Sequence, residues 1–253
     1  MASSSPLSKL PDAARQIGLA ACLLATAAVP AAAEMPPVDA AIVLLTDVSR
    51  SIDDSEFQLE KQGYAAAFGD QRVLAAIAAG PHARIAVAYM EFAGEGQVRT
   101  VVNWTVIDGS ATATAFTGAL SDAPRSYYGR TAIGSGILQA MTLLGETSSP
   151  DTRSVIDVAG DGTSNAGAPI TAARDQALAA GITINGLAII NDHPVSYTFA
   201  HVQPPGGLTQ WYRDNVIGGP GSFALEVHDF HSFGEAMVRK LLSEIAGLPH
   251  PAG

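Results

Sequence analysis

The chain has 253 residues, 47% of them hydrophobic, and 14 Lys and Arg against 24 Asp and Glu give it a net charge of −10. A protein this acidic repels nucleic acid and anionic lipid and attracts cations. A single cysteine, Cys22, rules out an internal disulfide and any site built from several thiolates.

Lys9 and Arg15 precede an uncharged, Ala- and Leu-rich stretch over residues 16–33 that ends in three alanines before Glu34. This is the layout of a secretory signal over residues 1–33, cleaved after Ala33, and it predicts a periplasmic or secreted protein. Two other readings attach to the segment: a membrane anchor, and lipidation at Cys22, because Leu19-Ala-Ala-Cys22 resembles a bacterial lipobox. The break at Pro30 and the small-residue end favour simple secretion. Cleavage removes Lys9, Arg15 and Asp12, which takes the net charge from −10 to −11 and leaves no cysteine for disulfides, metal ligation or thiol catalysis. The remainder is long enough to bury one α/β core, placed over residues 38–246, and has no other stretch apolar enough to span a membrane.

From residue 40 the chain alternates strand and helix. Ala40, Ala41, Ile42, Val43, Leu44 and Leu45 form an apolar run that reads as a parallel strand buried on both faces, and it ends in Asp47. Asp53, Asp54, Ser55 and Glu56 open a helix with acids in its first turn, and Phe57, Tyr64 and Phe68 lie on its apolar face. A second helical piece over 72–79 stops at Gly80-Pro81. A strand over 84–92 turns through Gly94-Glu-Gly96 into a strand over 98–107, most simply a hairpin. Helices follow over 110–121 and from Thr131 to about residue 144, then a buried strand over 154–159, a helix over 170–180 and a strand over 182–190. Residues 191–221 read as loop with one short helix over 208–216. A last strand over 222–227 and an amphipathic helix over 230–245 close the domain. The pattern predicts an α/β fold: a doubly wound, mostly parallel six-stranded sheet with helices on both sides and one antiparallel edge strand.

In such sheets ligands sit outside the carboxyl ends of the strands, where the strand order reverses. Asp47 and Asp161 each follow a buried strand directly. Ser49 and Ser51 follow Asp47 at steps of two, and Thr131 starts the helix feeding the second of those strands. One carboxylate and two hydroxyls from a single turn form a hard oxygen donor set of the kind that suits Mg²⁺ or another divalent cation. Each residue also has an ordinary reading: Ser49, Ser51 and Thr131 as helix N-caps, and Asp161 as the turn residue of an Asp-Gly pair. Asp53 and Asp54 fit the first turn of a helix better than a metal. Arg50 either reaches outward toward an anionic ligand or pairs with Asp53 or Asp54.

Asp47-Val-Ser-Arg-Ser51, Thr131 within Gly129-Arg-Thr-Ala-Ile-Gly134, and Asp161 within Val158-Ala-Gly-Asp-Gly162 resemble the metal-ion-dependent adhesion site of von Willebrand factor A domains. More narrowly, Gly80-Pro-His-Ala-Arg-Ile-Ala-Val87, Val155-Ile-Asp-Val-Ala-Gly-Asp-Gly162, Ala180-Gly-Ile-Thr-Ile-Asn-Gly186 and Tyr212-Arg-Asp-Asn-Val-Ile-Gly-Gly-Pro-Gly221 resemble secreted bacterial A-domain proteins of a family of unknown function. The resemblance implies a binding module rather than an enzyme. Ser49, Ser51 and Thr131 would coordinate the ion through hydroxyls, Asp47 and Asp161 directly or through water, and an acidic side chain of a protein partner would supply the last oxygen. In adhesion receptors of this fold the last helix shifts with ligand state.

Enzyme readings have less behind them. The chain carries no Gly-x-Ser-x-Gly elbow, no dinucleotide fingerprint after the first strand and no phosphate loop. His228 and His231, and His193 beside Asp192, read as structural rather than zinc-binding. The alternative is a metal-dependent hydrolase that uses the same ion to activate water, for which Glu91 or Asp157 would be the general base.

Overall fold

A computed structural model of the protein describes Met1 and residues 35–146, 152–190, 204–228 and 232–246. The predicted signal over residues 1–33, together with His193, Phe230 and His231, lies outside the described residues apart from Met1. The elements in chain order are β1 (Ala40–Asp47), α1 (Asp54–Gly69), α2 (Gln71–Ala78), β2 (Ile85–Phe92), β3 (Val98–Ile107), α3 (Ser110–Asp122), α4 (Ile133–Gly145), β4 (Arg153–Gly160), α5 (Ile170–Ala179), β5 (Thr183–Ile189), α6 (Leu208–Asn215), β6 (Ala224–Val227) and α7 (Phe233–Ala246).

The strands make one sheet in the order β3-β2-β1-β4-β5-β6. All neighbours are parallel except β2 and β3, whose antiparallel pairing places β3 at an edge. The predicted architecture is therefore the observed one. The chain leaves β1 toward β2 on one side and later returns to place β4 on the other, so the order reverses between β1 and β4. Asp47 ends β1, and Asp161 directly follows β4.

Every residue of β1 and of β2 is buried, as expected where helices cover both faces of a parallel sheet. Alternation along β1 divides the core. Ile42 and Leu44 join Phe57, Tyr64, Phe68, Phe116, Phe233 and Leu241 under α1, α3 and α7. Ala41, Val43 and Leu45 face Ile133, Ile137, Ala173, Leu208 and Tyr212 under α4, α5 and α6. Some polar groups enter the first layer with partners, as burial favours. The Thr46 and Tyr64 hydroxyls lie 2.9 Å apart, and Lys240 of α7 pairs with Asp157 of β4 and Glu244, the latter at 2.6 Å.

The start of α1 decides between two readings of the serines. Asp53 is its N-cap: its carboxylate accepts from the Ser55 and Glu56 amides while Glu56 accepts from the Asp53 amide, a complete capping box. Ser49 and Ser51 are thus released from helix capping. Thr131 lies slightly ahead of its expected place. Helix α4 begins at Ile133 with Ala132 as N-cap and no side-chain capping bond, so Thr131 belongs to the loop before the helix.

Candidate metal centre

Three loops meet at the carboxyl edge of β1 and β4, and hydrogen bonds tie each to the other two. Within the first loop the Ser49 amide donates to Asp47 Oδ1 at 2.7 Å, and the Ser49 and Ser51 hydroxyls lie 3.0 Å apart. The first loop reaches the third through the Ser51 hydroxyl, which donates to Asp161 Oδ1 at 2.7 Å. It reaches the second where the Arg50 amide donates to the Gly129 carbonyl at 3.1 Å. The second and third are joined twice: the Thr131 amide donates to Asn165 Oδ1 at 2.9 Å, and the Asn165 amide to the Thr131 carbonyl at 2.8 Å.

Asp47, Ser49, Ser51 and Asp161 are therefore brought together as one connected set, with Thr131 held beside them through its backbone. The Thr131 hydroxyl, 1% exposed as a residue, makes no hydrogen bond among the described residues. Asp47 is wholly buried, and its Oδ2 has no hydrogen-bond partner. Burial, and after it the charge of Asp161, pushes the Asp47 carboxyl well above its ordinary range. A buried carboxylate oxygen without a donor normally costs stability. A second carboxylate reached through two hydroxyls makes this a donor set that a hard divalent cation satisfies.

Gly160 is what lets Asp47 sit so deep. A Cβ at this position would lie 2.9 Å from Asp47 Cβ and 3.0 Å from the Tyr212 hydroxyl, so only glycine leaves the space. Gly129 does the same for the second loop, where a Cβ would stand 2.6 Å from the Gly94 amide nitrogen.

Sequence reasoning missed three residues here. Arg125, in the loop after α3 and only 4% exposed at its side chain, donates from Nη2 to the carbonyls of Val48 and Ser49 at 2.8 and 2.6 Å. Its guanidinium also stacks 4.2 Å from the Tyr128 ring centroid and meets Asp54 at 3.5 Å. Tyr212 of α6 brings its unpartnered hydroxyl beneath the site from the other layer. Glu60 of α1 is fully buried with neither carboxylate oxygen hydrogen-bonded. Burial first, then Asp47 and Asp161, hold its carboxyl well above the usual range.

The two expected general bases each have a partner, although Glu91 Oε1 is buried without one. Glu91 Oε2 accepts from the Ser126 amide at 2.7 Å, and Asp157 is paired with Lys240. His228 pairs with Glu226 at 3.0 Å.

The profile of a family described as "protein of unknown function (DUF1194)" matches residues 37–249. No curated protein matches the chain in sequence. Among solved structures it is similar to proximal thread matrix protein 1 from the mussel byssus with a zinc-occupied MIDAS motif, at 19% identity and a TM-score of 0.59, covering 85% of this chain and 50% of that one. It is similar to the von Willebrand factor type A protein from Catenulispora acidiphila at 14% identity and a TM-score of 0.56, covering 82% and 43%. It is also similar to the open conformation of the pilus adhesin SpaC from Lactobacillus rhamnosus GG at 14% identity and a TM-score of 0.57, covering 84% and 31%. The chain thus spans half or less of the length of each of these proteins, and at these identities the likeness establishes a shared fold.

Proposed function

As a member of the DUF1194 family with a von Willebrand factor A fold, this chain is, we propose, an exported binding module that holds a divalent cation at its sheet edge and takes an acidic side chain of a protein partner. One observation carries the reading: Asp47 and Asp161 are linked through the Ser49 amide and the Ser49 and Ser51 hydroxyls at the switch point, while Asp47 Oδ2 is buried without a donor. Asp47, Ser49, Ser51, Thr131 and Asp161 would hold Mg²⁺ or a similar ion, and five protein ligands leave an octahedral ion one position for a further oxygen ligand. Arg125 fixes the Val48 and Ser49 carbonyls, so the loop is shaped before any ligand arrives. Two proteins of the same fold support the reading by their descriptions, a byssus matrix protein with zinc in this motif and a pilus adhesin.

The ion pair of Asp157 with Lys240 and the bond of the Ser126 amide to Glu91 Oε2 favour binding over the hydrolase alternative, because each ties a candidate base to a partner other than water. Export rests on the leader over residues 1–33, and recovery from the periplasm of a protein whose first residue is Glu34 tests it. Pulldown from periplasmic extract in Mg²⁺, in chelator and with Asp47→Ala tests the binding function. Capture of one partner only by the wild type in Mg²⁺ is the expected result; equal capture in chelator overturns it.

A further inference from the structure

Two arginines stand directly beside the metal ligands of the site proposed above. Arg50 lies between Ser49 and Ser51, and Arg130 immediately precedes Thr131; both are exposed. The backbone bond from Arg50 to Gly129 keeps their two loops side by side. Neither guanidinium has a hydrogen bond or ion pair among the described residues. Exposed Arg99, Arg213 and Arg239 share this, so it is the place beside the ligands that sets Arg50 and Arg130 apart, whereas several other cations are committed to acids. Arg72 pairs with Asp70 and Glu235, Arg174 with Asp175, and Lys240 with Asp157 and Glu244.

The acids nearest in sequence are committed elsewhere. Asp53 accepts from the Ser55 and Glu56 amides as the cap of α1, and Asp54 accepts from the Tyr128 hydroxyl at 3.0 Å and meets Arg125. This decides between the two readings of Arg50 in favour of an outward one. Tyr128, two residues before Arg130 and 57% exposed, has the Arg125 guanidinium against its ring. Arginine and tyrosine are the residue types that interfaces concentrate.

Charge sets the class of partner. Asp47 and Asp161 balance a doubly charged ion, so the two arginines add positive charge beside it on an otherwise acidic protein, opposed in part by Asp53 and Glu56 at the start of α1. A single carboxylate bound at the ion would leave both guanidinium groups unanswered. Each can take a carboxylate through two parallel N–H bonds. Resting on the metal-site reading, we propose that Arg50 and Arg130 form a cationic rim that selects a polyacidic segment of the partner. One carboxylate goes to the ion and its neighbours go to the arginines. The added positive charge also steers such a segment in, past a surface that repels acids elsewhere.

The test uses the purified protein in Mg²⁺ and two acetylated peptides in a Gly/Ser background, one with three consecutive glutamates and one with a single glutamate. Arg50→Gln/Arg130→Gln is compared with Arg84→Gln/Arg239→Gln, which makes the same charge change before β2 at the opposite edge and on α7. The rim variant is expected to bind the triple-glutamate peptide about tenfold or more weakly, the size of one lost charge-assisted pair. Its affinity for the single-glutamate peptide and its Mg²⁺-induced thermal shift should stay as in wild type, and the control variant should bind both peptides normally. Unchanged affinity of the rim variant, or equal loss in the control, overturns the proposal. Asp47→Ala separates the two claims. If it binds both peptides like wild type, the metal reading fails and the comparison of variants still judges the rim; if it loses both while the rim variant loses neither, the metal reading survives and the rim is overturned.

Discussion

Nη2 of Arg125 lies 2.6 Å from the carbonyl oxygen of Ser49, across a separation of 76 residues, and also holds the Val48 carbonyl. One side chain thus fixes the backbone of the turn that carries Ser49 and Ser51. Arg125→Ala removes two charge-assisted bonds and is expected to cost about 3 kcal/mol of stability. It should also weaken Mg²⁺ binding, because the serine hydroxyls lose their fixed spacing. Arg125→Lys keeps the charge without the planar fork and should fall between. Chemical denaturation together with Mg²⁺ calorimetry on both variants checks the order; an Arg125→Lys protein indistinguishable from wild type would show that charge alone suffices.

Gly160→Ala places a methyl group against Asp47 Cβ and the Tyr212 hydroxyl. Overpacking of this kind costs about 1–3 kcal/mol and here displaces the buried carboxylate as well. The variant should fold with reduced stability and a reduced Mg²⁺-induced shift. Adding Tyr212→Phe removes one of the two clashing atoms and should recover part of the stability. Melting curves of the single and double variants decide the matter; no recovery would mean that the clash with Asp47 is the whole effect.

Cation binding should be visible as stability. At one hundred times the dissociation constant, a ligand that binds only the folded state adds about 2.7 kcal/mol, or very roughly 5–10 °C for a domain of this size. Asp47→Ala is expected to abolish the rise. Asp53→Ala loses its capping box and should melt lower, by about 0.5–2 kcal/mol of stability, yet keep the full Mg²⁺ increment. Thermal melts of the three proteins across a Mg²⁺ titration compare them. An equal increment in Asp47→Ala would place the cation elsewhere on the acidic surface.

Lys240 gives a pH-dependent prediction away from the site. Burial raises the Asp157 carboxyl, Glu244 adds to the rise and Lys240 opposes it, leaving it at about 7. The folded protein therefore keeps a proton that the unfolded chain releases near pH 4, so this group's contribution falls as pH rises from about 4 to about 7. In Lys240→Met the opposing charge is gone and two buried carboxylates remain, so the fall should be steeper and extend to higher pH. At pH 7 the loss should reach about 3–5 kcal/mol, as for a buried pair missing one partner. Urea unfolding of both proteins at pH 4.5 and 8 checks this; parallel pH dependence would exclude Lys240 as the counter-charge.

The sheet was legible because its strands are buried on both faces and read as unbroken apolar runs, and Asp47 and Asp161 stood out as charges ending them. The mostly parallel sheet with helices on both sides followed from the alternation of strands with helices, while the order of its strands came only from the structure. Arg125 was not legible, since it lies in a loop without periodicity and gains its role from carbonyls more than 70 residues earlier. Tyr212 was read as part of a short helix and of a family-like segment, and nothing local told that its ring lies against Gly186 of β5 with its hydroxyl beside Gly160. Glu60 did leave a signal: it stands three residues after Phe57 and four before Tyr64, on the buried stripe of α1. A glutamate on that stripe was passed over because glutamate is so rarely buried. The start of α4 was placed two residues early, at Thr131, because hydroxyl residues so commonly cap helices, whereas here the Thr131 amide is tied to Asn165.

The pairing of β1 with β4 also bears on how the protein carries load. Asp47 and Asp161 cap two adjacent parallel strands held in register over seven residue pairs, and β1 has seven more with β2. A partner pulling outward on the site draws along the strand axes, so the ladder bonds on both sides of β1 are strained together in shear and none opens first as in a zipper. Tension on an anchored partner is thereby spread through the middle of the sheet. Single-molecule pulling from Ser51 against the chain's end should show a higher rupture force than pulling from a residue of the edge strand β3, whose antiparallel partner lies on one side only. Equal rupture forces would exclude this mechanical role.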